Sequence, residues 1–273
     1  MNTEDLYKIK NKIHKLVKEI GSYQLKNLGR HDLEIDSKSS AVDLVTEVDK
    51  ESEKRIIKFI QAHFPDHGIL GEESGRSITN KESDYLWIID PVDGTTNYAH
   101  GYPLFSIAIG LQYKEETLFG SVYLPYMDDY FWAIQGEGAY LNNQPIQVSS
   151  YKSLDTSIIA TGFPYNKKTT EDNNLNYFAK IMPNVGGIRR SGSACIDLVF
   201  VASGRTEGYF EMYLNQWDFV PGQLIIREAG GVCMSKPLRD RYAVVAGNPY
   251  IIDELIQALR EVSDRDYPLG KTE

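Results

Sequence analysis

Cysteine is scarce in this sequence, with only two among 273 residues. Cys195 and Cys233 lie in apolar surroundings and lack the close spacing of a metal-binding or redox pair. A disulfide framework is therefore excluded, and we expect two buried, reduced thiols with no catalytic role. The five histidines do not have the spacing of zinc ligands either.

Long apolar runs are also missing. No stretch of the sequence approaches the roughly 20 apolar residues that a membrane-spanning helix needs. The first residues, MNTEDLYKIKNKIHKLVKEI, mix charges with Ile and Leu and lack the apolar centre of a signal peptide. We therefore expect a cytoplasmic protein that has no membrane partner.

Positive charge is in short supply, because 29 Lys and Arg face 38 Asp and Glu, for a net charge of -9. A protein that follows a nucleic-acid backbone needs clustered Lys and Arg, so no nucleic-acid partner is expected. An acidic chain that binds an anionic substrate needs some other source of positive charge.

The chain has enough apolar residues, 42%, to bury a large core in one domain or two closely packed halves. Residue periodicity predicts an antiparallel α+β half over residues 1–150, which holds the acids discussed below, and an α/β half over 151–273. The predicted helices are one that opens the chain and ends near Gly29, followed by 46–64, 193–204, 220–231 and 249–262. The predicted strands are 68–71, 87–89, 105–113, 117–125, 128–136, 157–163, 207–214 and 244–247.

The segment WIIDPVDGTTN, residues 87–97, combines a short apolar run with acids, a proline and a glycine. Trp87 to Ile89 predict a buried strand that ends at Asp90. Pro91 has no backbone N–H to donate to a neighbouring strand, so we expect the strand to stop there and the chain to turn.

The turn that follows offers both carboxylates and backbone donors. Asp93 and Gly94 are typical turn residues, and Thr95 with Thr96 would begin the next segment with free N–H groups that can bind an anion. The alternative is that Asp90 and Asp93 only shape the turn.

Further acids occupy comparable positions elsewhere. GEES places Glu72 and Glu73 directly after a short apolar strand, and WDFVPG places Asp218 at a predicted helix start. Each has a simpler interpretation, as solvated surface charges or as a helix N-cap. Asp49 lies three residues after Thr46, the pattern of a capping box, so it is also interpretable as part of a helix cap.

Convergence of these acids would favour a metal site. If Glu72, Asp90, Asp93 and Asp218 meet, their mutual repulsion requires cations between them. The donor atoms are all oxygens, which suits Mg²⁺, with Mn²⁺ or Ca²⁺ as competitors, and disfavours Zn²⁺.

These motifs together resemble the inositol monophosphatase family of Mg²⁺-dependent, lithium-sensitive phosphatases. The resemblance covers about residues 38–231, and the motifs occur in the family's order and spacing. They are DLVTEVD (43–49), GEES (71–74), WIIDPVDGTTN (87–97), GSA (192–194) and WDFVPG (217–222). The resemblance implies a layered α/β fold, the αβαβα five-layered sandwich of inositol monophosphatases and fructose bisphosphatases, and a homodimer.

The resemblance also implies roles for individual residues. The implied ligands of two or three Mg²⁺ ions are Glu72, Asp90, the Val92 carbonyl, Asp93 and Asp218. The groups that would order the attacking water are Glu72, Thr95 and Asp49. The implied phosphate contacts are Gly94 and Thr95, and the implied contacts to the alcohol are Gly192, Ser193, Ala194 and Glu211. Lys38 matches a loop lysine in a segment, residues 29–40, that looks mobile and that folds over the site in the family.

The expected reaction is hydrolysis of inositol monophosphate or a related sugar or polyol phosphate by an activated water. Two metal ions about 4 Å apart would activate the water and steady the leaving oxygen, with no phosphoenzyme. Mn²⁺ could replace Mg²⁺, whereas Ca²⁺ and Li⁺ should inhibit. Glu211 lies in a predicted strand, where an outward-facing acid needs no function. Open alternatives are an NADP(H) 2′-phosphatase, a fructose-1,6-bisphosphatase and a non-enzymatic regulatory protein of the RNA or transcription machinery.

Overall fold

The structure is a computed structural model that describes residues 1–38, 43–77, 83–170 and 173–262. The α-helices in these ranges are α1 (Thr3–Asn27), α2 (Glu47–His63), α3 (Thr95–Ala99), α4 (Leu175–Ile181), α5 (Ala194–Ala202), α6 (Gln216–Glu228) and α7 (Ile252–Arg260). The β-strands in these ranges are β1 (Ile35–Ser37), β2 (Leu44–Thr46), β3 (Gly68–Gly71), β4 (Gly75–Ser77), β5 (Tyr85–Asp93), β6 (Ser106–Tyr113), β7 (Glu116–Leu124), β8 (Asp129–Ile134), β9 (Ala139–Leu141), β10 (Gln144–Pro145), β11 (Ile158–Thr161), β12 (Gly187–Arg189), β13 (Gly208–Leu214), β14 (Val232–Leu238) and β15 (Arg241–Gly247).

An eight-stranded sheet has the order β10-β9-β8-β7-β6-β5-β3-β4. The strands from β5 to β10 are antiparallel neighbours, as the alternating apolar runs predict. β3 pairs with β5 in parallel, so the carboxyl end of β3 reaches the same edge of the sheet as that of β5. Site residues that follow these two strands are thereby brought together.

A five-stranded sheet has the order β12-β11-β13-β15-β14. β11 lies parallel to both of its neighbours, whereas β13, β15 and β14 are antiparallel to one another. β1 and β2 form a separate antiparallel pair. The eight-stranded sheet lies within residues 68–145 and the five-stranded sheet within 158–247, and a domain division at residue 150 stays a prediction.

The helices and sheets stack in five layers. α1 and α2 pack on one face of the eight-stranded sheet, where Ile13 and Ile56 meet Trp87. α5 and α6 fill the space between the two sheets, and α4 with α7 cover the outer face of the five-stranded sheet. Fully burying one aliphatic side chain contributes about 1.5–3 kcal/mol, and these clusters hold dozens of buried side chains. The αβαβα sandwich predicted from the resemblance is confirmed.

Three predictions of local structure are wrong. β5 continues through Pro91 to Asp93, because the strand bulges there: Asp90 pairs with Ala108 and Asp93 with Ser106, so β5 has one extra residue. The predicted linker after α1 contains β1, paired with β2. Its residues 39 and 40 lie outside the described residues.

α6 begins and ends earlier in the chain than the predicted helix 220–231. Asn215 precedes this helix, so it begins before Asp218 and carries Pro221 in its interior. Within the described residues, no helix combines the length and the apolarity that crossing a membrane requires.

Candidate functional site

The bulge in β5 places two acids on one side of the strand. In a regular strand, residues three apart point to opposite faces, and one extra residue restores them to the same face. Asp90 and Asp93 are both buried, at 2% and 7% exposure. The Val92 N–H donates to Asp90 Oδ1 at 3.0 Å, and Gln24 Nε2 donates to the Pro91 carbonyl at 2.8 Å. These two hydrogen bonds therefore fix the backbone between Asp90 and Asp93, one through the Val92 N–H and the other through the Pro91 carbonyl.

Asp93 is also fixed by the start of α5. Ser193 Oγ donates a short hydrogen bond to Asp93 Oδ2, and the Cys195 N–H donates to the same oxygen at 2.8 Å. Burial raises the pKa of Asp93 to about 6, although these two donors act in the opposite direction. The predicted substrate contact Ser193 thus lies directly against a predicted metal ligand.

Glu72 reaches the site from the neighbouring strand. Its N–H donates to the Ile89 carbonyl at 3.2 Å, which extends the parallel pairing of β3 and β5 by one residue. Lys38 Nζ lies 2.9 Å from Glu72 Oε1 and 2.6 Å from Glu73 Oε1. Burial lowers the pKa of Lys38, but the two carboxylates raise it further, so its pKa lies above the usual value. Burial, then Glu72, raises the pKa of Glu73 to about 7.

Asp218 reaches the site from the first turn of α6. It closes the capping box of that helix, because the Asn215 N–H donates to Asp218 Oδ2 at 2.6 Å. Burial, followed by the charges of Glu72 and Asp93, raises its pKa. Asp218 is therefore not the N-cap itself, since Asn215 holds that position, and its part in the capping box does not compete with a role in the site.

The four acids converge. Burial raises the pKa of Asp90 well above its usual value, and the next largest causes are the charges of Glu72, Asp93 and Asp218. Ionised together without a cation, they would be strongly destabilising. Within the described residues, no three His, Cys, Asp or Glu side chains form a closed metal-binding cluster. The all-oxygen donor set nevertheless fits Mg²⁺ chemically, and its side chains would need to draw together around the ion.

Asp49 contacts the site through a hydroxyl. Its Oδ2 accepts hydrogen bonds from the N–H, at 3.1 Å, and the hydroxyl of Thr46, which confirms the capping box. Its Oδ1 accepts a 2.8 Å hydrogen bond from Thr95 Oγ1, which also lies 3.0 Å from the Val92 carbonyl. Burial raises the pKa of Asp49 to about 6, opposed by both threonines. The same carboxylate caps α2 and holds Thr95.

Gly94 lies in a turn that only glycine adopts readily, with φ at +98°. A Cβ at this position would lie 3.1 Å from the Leu104 carbonyl and 3.4 Å from that of Gly192. Asn97 Nδ2 ties the same two segments together, donating to the carbonyls of Leu104 at 2.6 Å and Ser191 at 2.8 Å. The predicted phosphate-binding turn therefore packs against the loop that leads to Ala194.

Glu211 is only partly exposed, which does not fit the alternative of a fully outward-facing acid. Tyr209 Oη donates to Glu211 Oε2 at 2.8 Å, and any Cβ on Gly162 would overlap the Glu211 carboxylate. Burial raises the pKa of Glu211 to about 7, opposed by the Tyr209 hydrogen bond and by Arg190. Glu211 in turn raises the pKa of Asp218, so it belongs to the same acidic region.

The sequence did not identify several residues that support the site. Tyr209 could have been found from the sequence, because residues two apart on a strand share a face and Glu211 was already a candidate. Tyr165 gave no signal: it is 49% exposed, yet burial of its hydroxyl, then Glu72 and Asp218, raise its pKa. Gln24 on α1 also gave none, because its contact with Pro91 exists only in the folded chain.

Comparison with known proteins extends these findings. The sequence matches the model of the inositol monophosphatase family over residues 4–264. It is 44% identical over 230 residues to the inositol-1-monophosphatase of Synechocystis sp., covering 83% of this chain and 80% of that protein. It is 39% identical over 247 residues to the Nus factor SuhB of Haemophilus influenzae, covering 89% and 92%. The solved inositol monophosphatase of Anabaena (Nostoc) sp. superposes with a TM-score of 0.81 at 38% identity, over 95% of this chain and 98% of that one.

Proposed function

Because this chain belongs to the inositol monophosphatase family, we propose that it is a Mg²⁺-dependent phosphomonoesterase that hydrolyses inositol monophosphate or a related sugar or polyol phosphate. The observation that supports this most strongly is the convergence of Glu72, Asp90, Asp93 and Asp218: after burial, the charges of Glu72 and Asp93 are the next causes that raise the pKa of both Asp90 and Asp218. Bound cations would offset this repulsion and allow the acids to be ionised together at neutral pH.

The four carboxylates and the Val92 carbonyl would hold two or three Mg²⁺ ions, with Mn²⁺ able to substitute. When bound, the ions supply the positive charge that this acidic chain lacks and lower the pKa of a water molecule. Lys38 would release Glu72 as the site fills, since both cations compete for that carboxylate.

Different residues around this site would orient the attacking water, bind the phosphate and bind the leaving alcohol. Thr95, held by Asp49 Oδ1, would orient the attacking water together with Glu72, and the Asp49–Thr95 pair or Glu72 would take its proton. The N–H groups of Gly94 and Thr95 would bind phosphate oxygens. The alcohol that leaves would contact the loop Gly192–Ala194 and Glu211, which lie beside the acids.

A phosphate-release assay over a panel of esters tests this function. The purified chain would be given inositol 1-phosphate, fructose 1,6-bisphosphate, NADP and an aryl phosphate, each in Mg²⁺ and in chelator. We expect release from inositol monophosphate that stops in chelator and returns with Mg²⁺. Preference for NADP or for the bisphosphate would assign one of the alternative substrates, and no release from any ester in Mg²⁺ or Mn²⁺ would refute the function.

A second candidate function is supported by the relative named Nus factor SuhB. A regulatory role in transcription would need a partner surface and no turnover. Affinity purification with the Asp90→Asn variant tests it, since a regulatory role should survive loss of the acid.

We also propose that the chain is a cytoplasmic homodimer, and light scattering that gave the mass of one chain would contradict the dimer.

A further inference from the structure

Glu53 on α2 is a buried acid, 3% exposed, outside the set that resemblance identifies. Its carboxylate accepts two backbone hydrogen bonds from the turn after β3. The Glu73 N–H donates to Oε2 at 2.9 Å and the Ser74 N–H donates to Oε1 at 2.8 Å. Both donors follow Glu72 directly in the chain. The Glu53 carboxylate is therefore hydrogen-bonded to the backbone segment that positions this predicted metal ligand.

The same stretch of α2 holds two other segments of the site. Asp49 lies one helical turn before Glu53, and residues four apart share a helix face. Asp49 accepts from Thr95. Ser52 Oγ accepts from Gln24 Nε2 at 3.2 Å, and that nitrogen also donates to the Pro91 carbonyl at 2.8 Å. α2 therefore fixes the positions of the segments that carry the site, in addition to packing on the sheet.

Gly71 explains how the Glu53 carboxylate reaches the turn. A Cβ at position 71 would lie 2.6 Å from Glu53 Oε2 and 2.8 Å from its Cδ. The backbone of Gly71 does not have the positive φ that favours glycine. Space for the carboxylate, rather than backbone conformation, is therefore what requires a glycine here.

We propose that Glu53 is a positioning residue for divalent-metal binding, acting through the backbone of Glu73 and Ser74 to hold Glu72 at the site. The inference rests on the proposed Mg²⁺ site. Without the Glu53 carboxylate, the turn after β3 would become ordered only when Glu72 binds the ion. The free energy needed to order this turn would then lower the affinity for Mg²⁺. Hydrogen-bond partners of metal ligands typically contribute 10- to 100-fold to metal affinity, and we expect a weakening of about that size.

Calorimetric titration of Mg²⁺ into the metal-free full chain tests the proposal without relying on turnover. Glu53→Gln keeps the side-chain volume and places an amide donor where one backbone N–H needs an acceptor. Gly71→Ala keeps the carboxylate but displaces it. Both variants should bind Mg²⁺ about 10- to 100-fold more weakly than the parent. The matched control is Glu51→Gln, two residues away, whose carboxylate pairs with Arg55 at 2.9 Å on the surface; its affinity should not change.

A double-mutant cycle separates positioning from general damage. In a Glu53→Ala background, Gly71→Ala should cost little further affinity, because the group it would displace is gone. Losses that simply add, or parent-like Mg²⁺ affinity in both Glu53→Gln and Gly71→Ala, would overturn the role of Glu53. If Glu53→Gln does not fold, Gly71→Ala and the control still decide the question. A parent that bound no Mg²⁺ would overturn the proposed function and this inference with it, whereas normal parent binding with unchanged variants overturns the inference alone.

Discussion

Asp90→Asn distinguishes a metal ligand from a residue that only shapes a turn. If Asp90 is a ligand, the metal-free protein carries a carboxyl group that burial, and then the charges of Glu72, Asp93 and Asp218, make costly to ionise. The substitution removes that cost at nearly constant volume. The amide oxygen of the asparagine in the Asp90→Asn variant can still accept the hydrogen bond that the Val92 N–H donates to Asp90 Oδ1 in the parent. The stability of the metal-free protein should therefore hold or rise.

Asp93 shows how much a buried carboxyl group with a raised pKa costs in this region. Its folded pKa of about 6 against a reference of 3.8 corresponds to roughly 3 kcal/mol at neutral pH, at 1.36 kcal/mol per pKa unit. The sign follows from linkage: a carboxyl with a raised folded pKa gives its full stability below the unfolded pKa, and that stability is lost as pH rises through the folded pKa. Asp90 carries a cost of the same kind, from burial and then from Glu72, Asp93 and Asp218, and Asp90→Asn removes it; each kcal/mol regained should raise the melting temperature of the metal-free protein at pH 7.5 by about 2–4 °C.

The response to Mg²⁺ should change in the opposite direction. A ligand at about 100 times its Kd stabilises the parent by about 2.7 kcal/mol, and Asp90→Asn should lose most of that shift together with nearly all turnover. If Asp90 only shapes the turn, Asn should lower stability by about 1 kcal/mol with or without Mg²⁺ and leave activity largely intact.

The assay is a melting temperature for parent and variant, each in chelator and in excess Mg²⁺, alongside phosphate release. Asp240→Asn is the matched control, because this acid is 80% exposed in a surface pair with Arg241 and should change neither quantity. A variant that melts lower in chelator while keeping its Mg²⁺ shift and turnover would refute the metal-binding role of Asp90.

Three further predictions follow from the same geometry. In chelator the parent should melt higher at pH 5 than at pH 8, because Asp49 and Glu211 have folded pKa values of about 6 and 7 and the stability they contribute is lost as pH rises through those values. His14 and His67 have lowered pKa values and oppose this trend. A higher melting temperature at pH 8 would show that the histidines dominate. Glu211→Gln should lower kcat/KM for inositol monophosphate roughly 10- to 100-fold, the value of a charged hydrogen bond, with little change for an aryl phosphate; equal losses on both would remove Glu211 from substrate recognition. Li⁺ at tens of millimolar, on the order expected for a competing hard cation, should inhibit turnover, since it supplies less charge than Mg²⁺; undiminished turnover would contradict the assignment.

Long periodic segments of this chain were predictable because their residue patterns are local. The apolar spacing of α1 and the capping box of Thr46 and Asp49 are properties of adjacent residues, and both are confirmed. Short elements such as β12 or α4 have too few residues to show a period, and α3 has only five. They form because neighbouring elements hold them.

The prediction that the strand stops at Pro91 failed because tertiary contacts outweighed a local rule, and α6 also contains a proline. Pro91 is accommodated by the bulge in β5. Pro221 lies inside α6, where its missing N–H leaves the Trp217 carbonyl without its helical partner; Cys195 Sγ lies 3.7 Å from that carbonyl. Neither accommodation is visible in a local sequence window.

Residue chemistry led to the candidate acids of the proposed site, but not to the groups that hold them. Asp90, Asp93 and Asp218 were predicted from the type and placement of the acids and from a family resemblance. The contact of Ser193 with Asp93 joins residues 100 positions apart, and that of Glu53 with Ser74 joins two elements of different type. Such supporting contacts depend on the folded arrangement, so they could be found only in the structure.

The most direct test of a divalent-metal site at these acids is an anomalous-diffraction map from crystals of the parent grown with Mn²⁺ and phosphate. We expect anomalous peaks among Glu72, Asp90, Asp93 and Asp218, with Lys38 no longer paired with Glu72. Under Mn²⁺ concentrations that support turnover, peaks found only elsewhere, with the Lys38–Glu72 pair intact, would contradict it.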